Sequence, residues 1–324
     1  MKKLVKGILI AVGVIVLAVI VLLVVLFVKN YIDSQKPLLT DDYYTWVEYD
    51  SKTEEKYAYL GSYEVSNDTI KADNKTIKEY RIWYPTVLKD NNEKYPLIMV
   101  VNASNMAALN YEPFFKRLAS WGFIVVGNQD RQTGMGKTTS ETLDYVLSLG
   151  KKSDSVFCNK IDEDNIGIIG YSQGGAGALR AATEFDNSNK YKTIFTGSAA
   201  YPLLAKNMGW GYDATKIEIP YFMVAGTGTS DDNGKSIDNH DEVAGICPLE
   251  ALKFCYDNMS ADVIKVRARA TGAEHGEMLN RSDGYMTAWM LYWLRGDEEA
   301  GKVFFGENAD ILTNSKWQDI EKNK

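Results

Sequence analysis

Ile166-Gly-Ile-Ile-Gly-Tyr-Ser-Gln-Gly-Gly-Ala-Gly-Ala-Leu-Arg180 is the stretch whose reading decides the fold. Ile166–Ile169 has the apolar continuity of a short buried strand, and Gln173–Phe185 reads as a helix. Between them Gly170-Tyr171-Ser172-Gln173-Gly174 fits G-x-S-x-G. Such a pentapeptide recurs by chance; the strand before it and the helix after it give it chemical meaning. A tight strand-to-helix turn forces the serine into a strained backbone conformation that lifts Oγ clear of the sheet. The flanking glycines leave room for that close approach, and Gly175 and Gly177 let the helix lie against the strand. The helix N-terminus points its free N–H groups and positive dipole end at the same place. Ser172 is therefore the candidate nucleophile, against the plainer alternative of a glycine-rich turn with a spectator serine.

On either side, short β-rich runs alternate with helical ones. Residues 77–84 alternate as a half-buried strand, and 96–102 (Pro-Leu-Ile-Met-Val-Val-Asn) form a continuous apolar run expected of a strand covered on both faces. Further strands are expected at 123–127, 193–197, 221–225 and 263–270, with helices at 113–121, 138–149, 248–259 and 285–294. This alternation predicts one α/β domain, a mostly parallel sheet with helices on both faces.

A serine hydroxyl needs a base, and the base an orienting acid. The chain has only two histidines. His275 lies in Thr271-Gly-Ala-Glu-His-Gly-Glu-Met278, straight after the last expected strand, whereas His240 lies in a polar stretch that reads as a solvated loop. The chain order Ser, acid, His then favours His275 as base and places the acid just past residues 221–225. Asp231 and Asp232 are both there; Asp231 is preferred, Asp232 is the alternative, and Asp241 and Glu242 are remoter candidates. The oxyanion hole needs two N–H donors, each worth roughly 3 kcal/mol in the transition state. Gln173, directly after the serine, is one; Ser104 or Ala103, in the loop after 96–102, is the other.

The net charge of −7 divides into +4 over residues 1–36 and −11 over the rest. So acidic a body argues against nucleic acid. Gly7–Val28 carries no charged or hydrogen-bonding side chain and, as a helix, is about 33 Å long, enough to cross a bilayer core of about 30 Å. No small-residue cleavage pattern follows it, which favours an uncleaved anchor over a signal peptide. Lys2, Lys3 and Lys6 put residues 1–6 in the cytoplasm and the body outside. The expected organisation is a tail at 1–6, a transmembrane anchor at 7–28, a stalk at 29–50 and a hydrolytic domain at 51–324. Cys158, Cys247 and Cys255 read best as small buried hydrophobes, although Cys158 could pair with either of the others. Gly134-Met-Gly-Lys-Thr-Thr139 imitates a phosphate loop, but Arg131 stands where that motif needs glycine.

Taken with Lys116-Arg-Leu-Ala-Ser-Trp-Gly-Phe-Ile-Val-Val126 and Ala288-Trp-Met-Leu-Tyr-Trp-Leu294, these features make the chain resemble the α/β-hydrolases over roughly residues 55–310, in their polyester hydrolase/cutinase-like or dienelactone hydrolase-like branch. The resemblance implies hydrolysis of carboxylic esters without a cofactor or metal, and a triad of Ser172, His275 and an acid at Asp231 or Asp232. It differs from that pattern in the Asn102-Ala-Ser loop, where relatives usually have glycine, and in the long stretch from Asp232 to Pro248. Tyr111, Phe114, Phe115, Tyr201, Trp210 and Tyr212 are expected near the rim of the site, facing an apolar or aromatic acyl group. The expected partners are a small-molecule or polymeric ester and a membrane, with the body extracytoplasmic. A serine peptidase or amidase with the same triad, and a non-catalytic binding ectodomain, are the competing readings.

Overall fold

The computed structural model describes residues 2–34, 36–238 and 241–324. Two compact units divide at Leu38/Leu39. The first is dominated by one helix, α1 (Lys2–Ser34), in which Val12–Ile32 is long and apolar enough to be a membrane span or a signal sequence. The principal elements of the second are α2 (Lys52–Ala58), β1 (Val65–Lys71), β2 (Glu79–Pro85), β3 (Tyr95–Val101), α3 (Glu112–Ala119), β4 (Ile124–Asn128), α4 (Lys137–Leu149), β5 (Ile161–Tyr171), α5 (Gln173–Glu184), β6 (Tyr191–Gly197), α6 (Pro202–Asn207), β7 (Tyr221–Gly226), α7 (Leu249–Asn258), β8 (Lys265–Ala270), α8 (Met278–Arg281), α9 (Asp283–Arg295) and β9 (Trp317–Lys322).

The strands form one sheet in the order β1-β2-β4-β3-β5-β6-β7-β8-β9. The pairs from β4 through β3 to β8 are parallel, while β1–β2, β2–β4 and β8–β9 are antiparallel. Alternate residues of the buried strands face two separate cores. Ile98, Val100, Val125, Ile169, Phe195 and Phe222 pack with α3 and α9. Leu97, Met99, Val101, Val126, Ile168 and Met223 pack with α4, α5 and α7 on the other face. This is the expected α/β architecture, and it brings the carboxyl ends of β3, β5, β6, β7 and β8 to one edge.

Some elements differ from expectation. β5 begins at Ile161 rather than 166, because the polar Asp162–Asn165 segment continues along β3 through a register shift at Pro96/Leu97. β1 and β9 are edge strands; only partly buried, they lack the continuous apolar run that marks an interior strand. Within the segment 29–50, expected as a stalk, the compact unit starts at Leu39, and Tyr43 is fully buried in the core. Arg117 holds it there. Its Nε donates to Tyr43 Oη at 2.9 Å, and its Nη1 to Tyr57 O at 3.0 Å and Thr287 Oγ1 at 2.9 Å. Nη2 lies 2.9 Å from Asp283 Oδ1, an ionic contact between two completely buried side chains. Burial lifts the Asp283 carboxyl to about 6 against the opposing pull of that guanidinium.

A second buried acid ties α2 to the C-terminal segment. Ser51 caps α2 by accepting from Thr53 N and Glu54 N, which fixes Glu54 in the first turn. Glu54 is 2% exposed, and its carboxylate accepts from Trp317 Nε1 at 2.8 Å and Asn314 Nδ2 at 2.6 Å. Burial outweighs both bonds and pushes its carboxyl up to about 7. A folded pKa raised from 4.5 makes the fold bind the extra proton, so stability is lost as pH rises from about 4.5 to about 7. The loss is of order 3 kcal/mol at about 1.4 kcal/mol per unit. Glu54→Gln is therefore expected to gain stability relative to the wild type on going from pH 5 to pH 8. Melting of the two proteins at both pH values checks this; a pH-independent difference between them would refute it.

Candidate active site

Ser172 sits where β5 turns into α5, with φ 56° and ψ −126°, the left-handed strain expected of a nucleophile elbow. The turn closes only because of its glycines. A Cβ on Gly170 would lie 2.1 Å from Gly174 O, and one on Gly174 would lie 2.3 Å from Val101 O. Gln173 is the first residue of α5, so its N–H has no acceptor within the helix.

The loops after β7 and β8 bring the candidate base, His275, and one of the two aspartates together. Asp231 is fully buried, and its Oδ1 lies 2.7 Å from Nδ1 of His275, whose side chain is one-quarter exposed. An ionised carboxylate only accepts, so this contact puts the imidazole proton on Nδ1 and leaves Nε2 as an acceptor. The other oxygen, Oδ2, accepts from Ser198 Oγ at 2.5 Å and Gly226 N at 2.7 Å. Asp232 turns away: Oδ2 accepts from Arg269 Nη1 at 2.6 Å and Leu249 N at 3.2 Å. Arg269 also pairs with Asp319 of β9, so Asp232 belongs to an ion-pair cluster beside the sheet edge. Glu242 pairs with Lys235 at 3.1 Å, and His240 lies outside the described residues.

The loop after β3 makes a turn with Asn105 at φ 61°. Ala103 N donates to Tyr111 Oη at 3.2 Å, which engages one of the two candidate donors and leaves Ser104 as the other. A side-chain strut joins this loop to the elbow: Gln173 Nε2 donates to Gln132 Oε1 at 2.9 Å, and Gln132 Nε2 to Asn105 Oδ1 at 3.1 Å. Asn102 is buried and donates to the carbonyls of Asn128 and Asp130 at 2.9 and 2.7 Å, replacing a glycine-type turn with side-chain bracing.

The expected aromatic rim is corrected in part. Phe114 and Phe115 do not rim the site; both are fully buried in the core, Phe114 edge-on to Tyr171 with centroids 6.1 Å apart. Tyr111 and Tyr201 are buried too, and Tyr212 donates to Ala200 O at 3.1 Å. The glycines of 134–137 serve packing: a Cβ on Gly134 would lie 2.4 Å from the Trp210 indole. The three cysteines are free, Cys247 and Cys255 within the core. Ser198 escaped sequence reasoning. Its only signal is a small polar residue directly after a buried strand, and its φ of 47° appears only in the fold.

A strand-order sheet of this topology, with a strained serine elbow and a His–Asp contact at its carboxyl edge, defines an α/β-hydrolase. The chain belongs to the PETase family, described as PET hydrolase-like, which it matches over residues 50–318. That membership makes it, in general terms, a hydrolase acting on esters. No curated protein matches the chain.

Ser198 supplies one of the donors that a fully buried carboxylate requires. Ser198→Ala is expected to cost about 1.5–3 kcal/mol, the worth of a hydrogen bond to a charged group. Denaturant titration of the purified protein checks this, with an unchanged midpoint as the refuting result.

Proposed function

We propose that the chain is a membrane-anchored, extracytoplasmic serine esterase that cleaves small or polymeric carboxylic esters through an acyl-enzyme. The observation that carries the reading is the 2.7 Å contact of His275 Nδ1 with a completely buried Asp231, across the sheet edge from a serine in the strained elbow conformation. In the first half-reaction Ser172 Oγ attacks the ester carbonyl carbon and gives its proton to His275 Nε2. Asp231 stabilises the imidazolium and keeps the ring oriented. The N–H groups of Gln173 and Ser104 receive the oxyanion. Collapse of the tetrahedral intermediate expels the alcohol, which takes the proton from Nε2. Water then repeats the sequence on the acyl-enzyme, releasing the acid and restoring Ser172.

No metal or cofactor is required by these steps. The anchoring part of the reading is supported by the apolar span Val12–Ile32, and the orientation by Lys2, Lys3 and Lys6 ahead of it. The family supports an ester as substrate over a peptide.

The full chain in detergent should react with a fluorophosphonate probe, and Ser172→Ala should abolish the labelling. Asp231→Asn should lower kcat on a nitrophenyl ester by about 10⁴-fold, as loss of the orienting acid does in triads. Asp232→Asn should act on stability through Arg269 and leave kcat within a few-fold. Absence of labelling in folded wild type, or equal rates in both aspartate variants, would overturn the assignment.

A further inference from the structure

The base and acid loops are joined by the residues that immediately precede the base and the acid. We propose that Glu274 and Ser230 are a positioning pair for the hydrolytic reaction, clamping the loop of His275 onto the loop of Asp231. The proposal rests on the triad reading above and deepens it.

The Glu274 carboxylate accepts from Ser230 N at 3.0 Å, from Thr229 N at 3.3 Å and from Ser230 Oγ. The same Ser230 Oγ accepts from His275 N at 2.8 Å. One hydroxyl is thus shared between the residue before the base and the base itself, while its own chain neighbour is the acid. Among the described residues, backbone bonds fasten only the roots of the two loops: Thr227 N to Ala270 O at 3.2 Å and Gly228 N to Ala273 O at 2.8 Å. Beyond Ala273, the bonds to the acid loop run through Glu274, Ser230 and the His275–Asp231 contact. Room for the carboxylate is built into the acid loop, since a Cβ on Gly228 would lie 2.4 Å from its carboxyl carbon. Glu274 is itself oriented by its N–H, which donates to Glu277 Oε2 at 2.7 Å. Hydrogen bonds from Ser230 hold the Glu274 carboxyl below its ordinary range.

A clamp of this kind acts on geometry. Base and acid must keep their contact while the proton moves, and a displacement of about 1 Å costs up to about 100-fold in rate. Substrate binding does not depend on it. Glu274→Ala and Ser230→Ala are therefore expected to lower kcat by about 10- to 100-fold with KM changed less than about twofold. Glu274→Gln, which retains one acceptor oxygen, should fall between Glu274→Ala and the wild type. The double variant should be no slower than the slower single, because both substitutions break one device.

The measurement uses the full chain in detergent with a nitrophenyl ester, alongside fluorophosphonate labelling of each variant. Slowed labelling at Ser172 in all variants, with the kcat and double-variant pattern above, supports the clamp. A wild type labelled at Ser172 whose Glu274→Ala variant keeps full kcat overturns the clamp and leaves the triad standing. Multiplicative effects in the double variant also overturn it. A folded wild type that is not labelled overturns both readings together.

Discussion

The constraint on which the site depends is steric and lies in the elbow. The end of β5, the start of α5 and the end of β3 converge until Gly170 and Gly174 have no space for a side chain. That approach holds Ser172 at φ 56°, a conformation that costs on the order of 1–3 kcal/mol and persists only because the surrounding packing over-determines it. The same convergence sets the loop after β3 beside the N-terminus of α5. Serine and both proposed oxyanion donors thus derive their relative position from one contact, and the Gln173–Gln132–Asn105 strut extends it outward.

The other half of the site is organised by charge. A carboxylate with no exposure must have its lone pairs satisfied or the fold bears the full desolvation cost. Asp231 meets this with donors from three strand ends: Ser198 after β6, Gly226 at the end of β7 and His275 after β8. Satisfying Asp231 therefore draws those loops together, so the requirement that stabilises the buried carboxylate also aligns the proposed base, His275. The long segment from Asp232 returns to the same place. Ile246 N and Cys247 N donate to the carbonyls of Ser230 and Asp231 at 3.0 and 3.1 Å, an approach that requires Gly245 at φ 101°.

The interior of this architecture was legible because β3 and β4 are apolar without interruption and the elbow has its own spacing. β1 and β9 were not, since a half-solvated edge such as Val65-Ser-Asn-Asp-Thr-Ile-Lys71 carries no period to read. The acid could be narrowed to two adjacent aspartates and no further. What separates them is Arg269, on β8 and distant in sequence, which claims Asp232 and leaves Asp231 to the histidine. Phe114 and Phe115 were misplaced for a related reason: composition marks an aromatic helix after the oxyanion loop, but the face it turns to the sheet is settled only by packing.

The N-terminal border of the body illustrates the same limit. Residues 39–50 fall within the expected stalk, yet they and the helix that follows are fastened by groups that a hydropathy pattern counts as solvent-loving. Arg117 reaches Tyr43, Tyr57 O and Asp283, and Glu54 reaches Trp317 and Asn314, every one of these side chains buried. Well-packed apolar residues of similar volume often serve stability as well as a buried ion pair does. What directed polar contacts add is register: Arg117 Nε and Nη1 find their acceptors with Tyr43 in one position, whereas an apolar patch would accept neighbouring ones. The border at Leu39 is therefore drawn by hydrogen-bond geometry between residues far apart in the chain, a property that no local window of sequence contains.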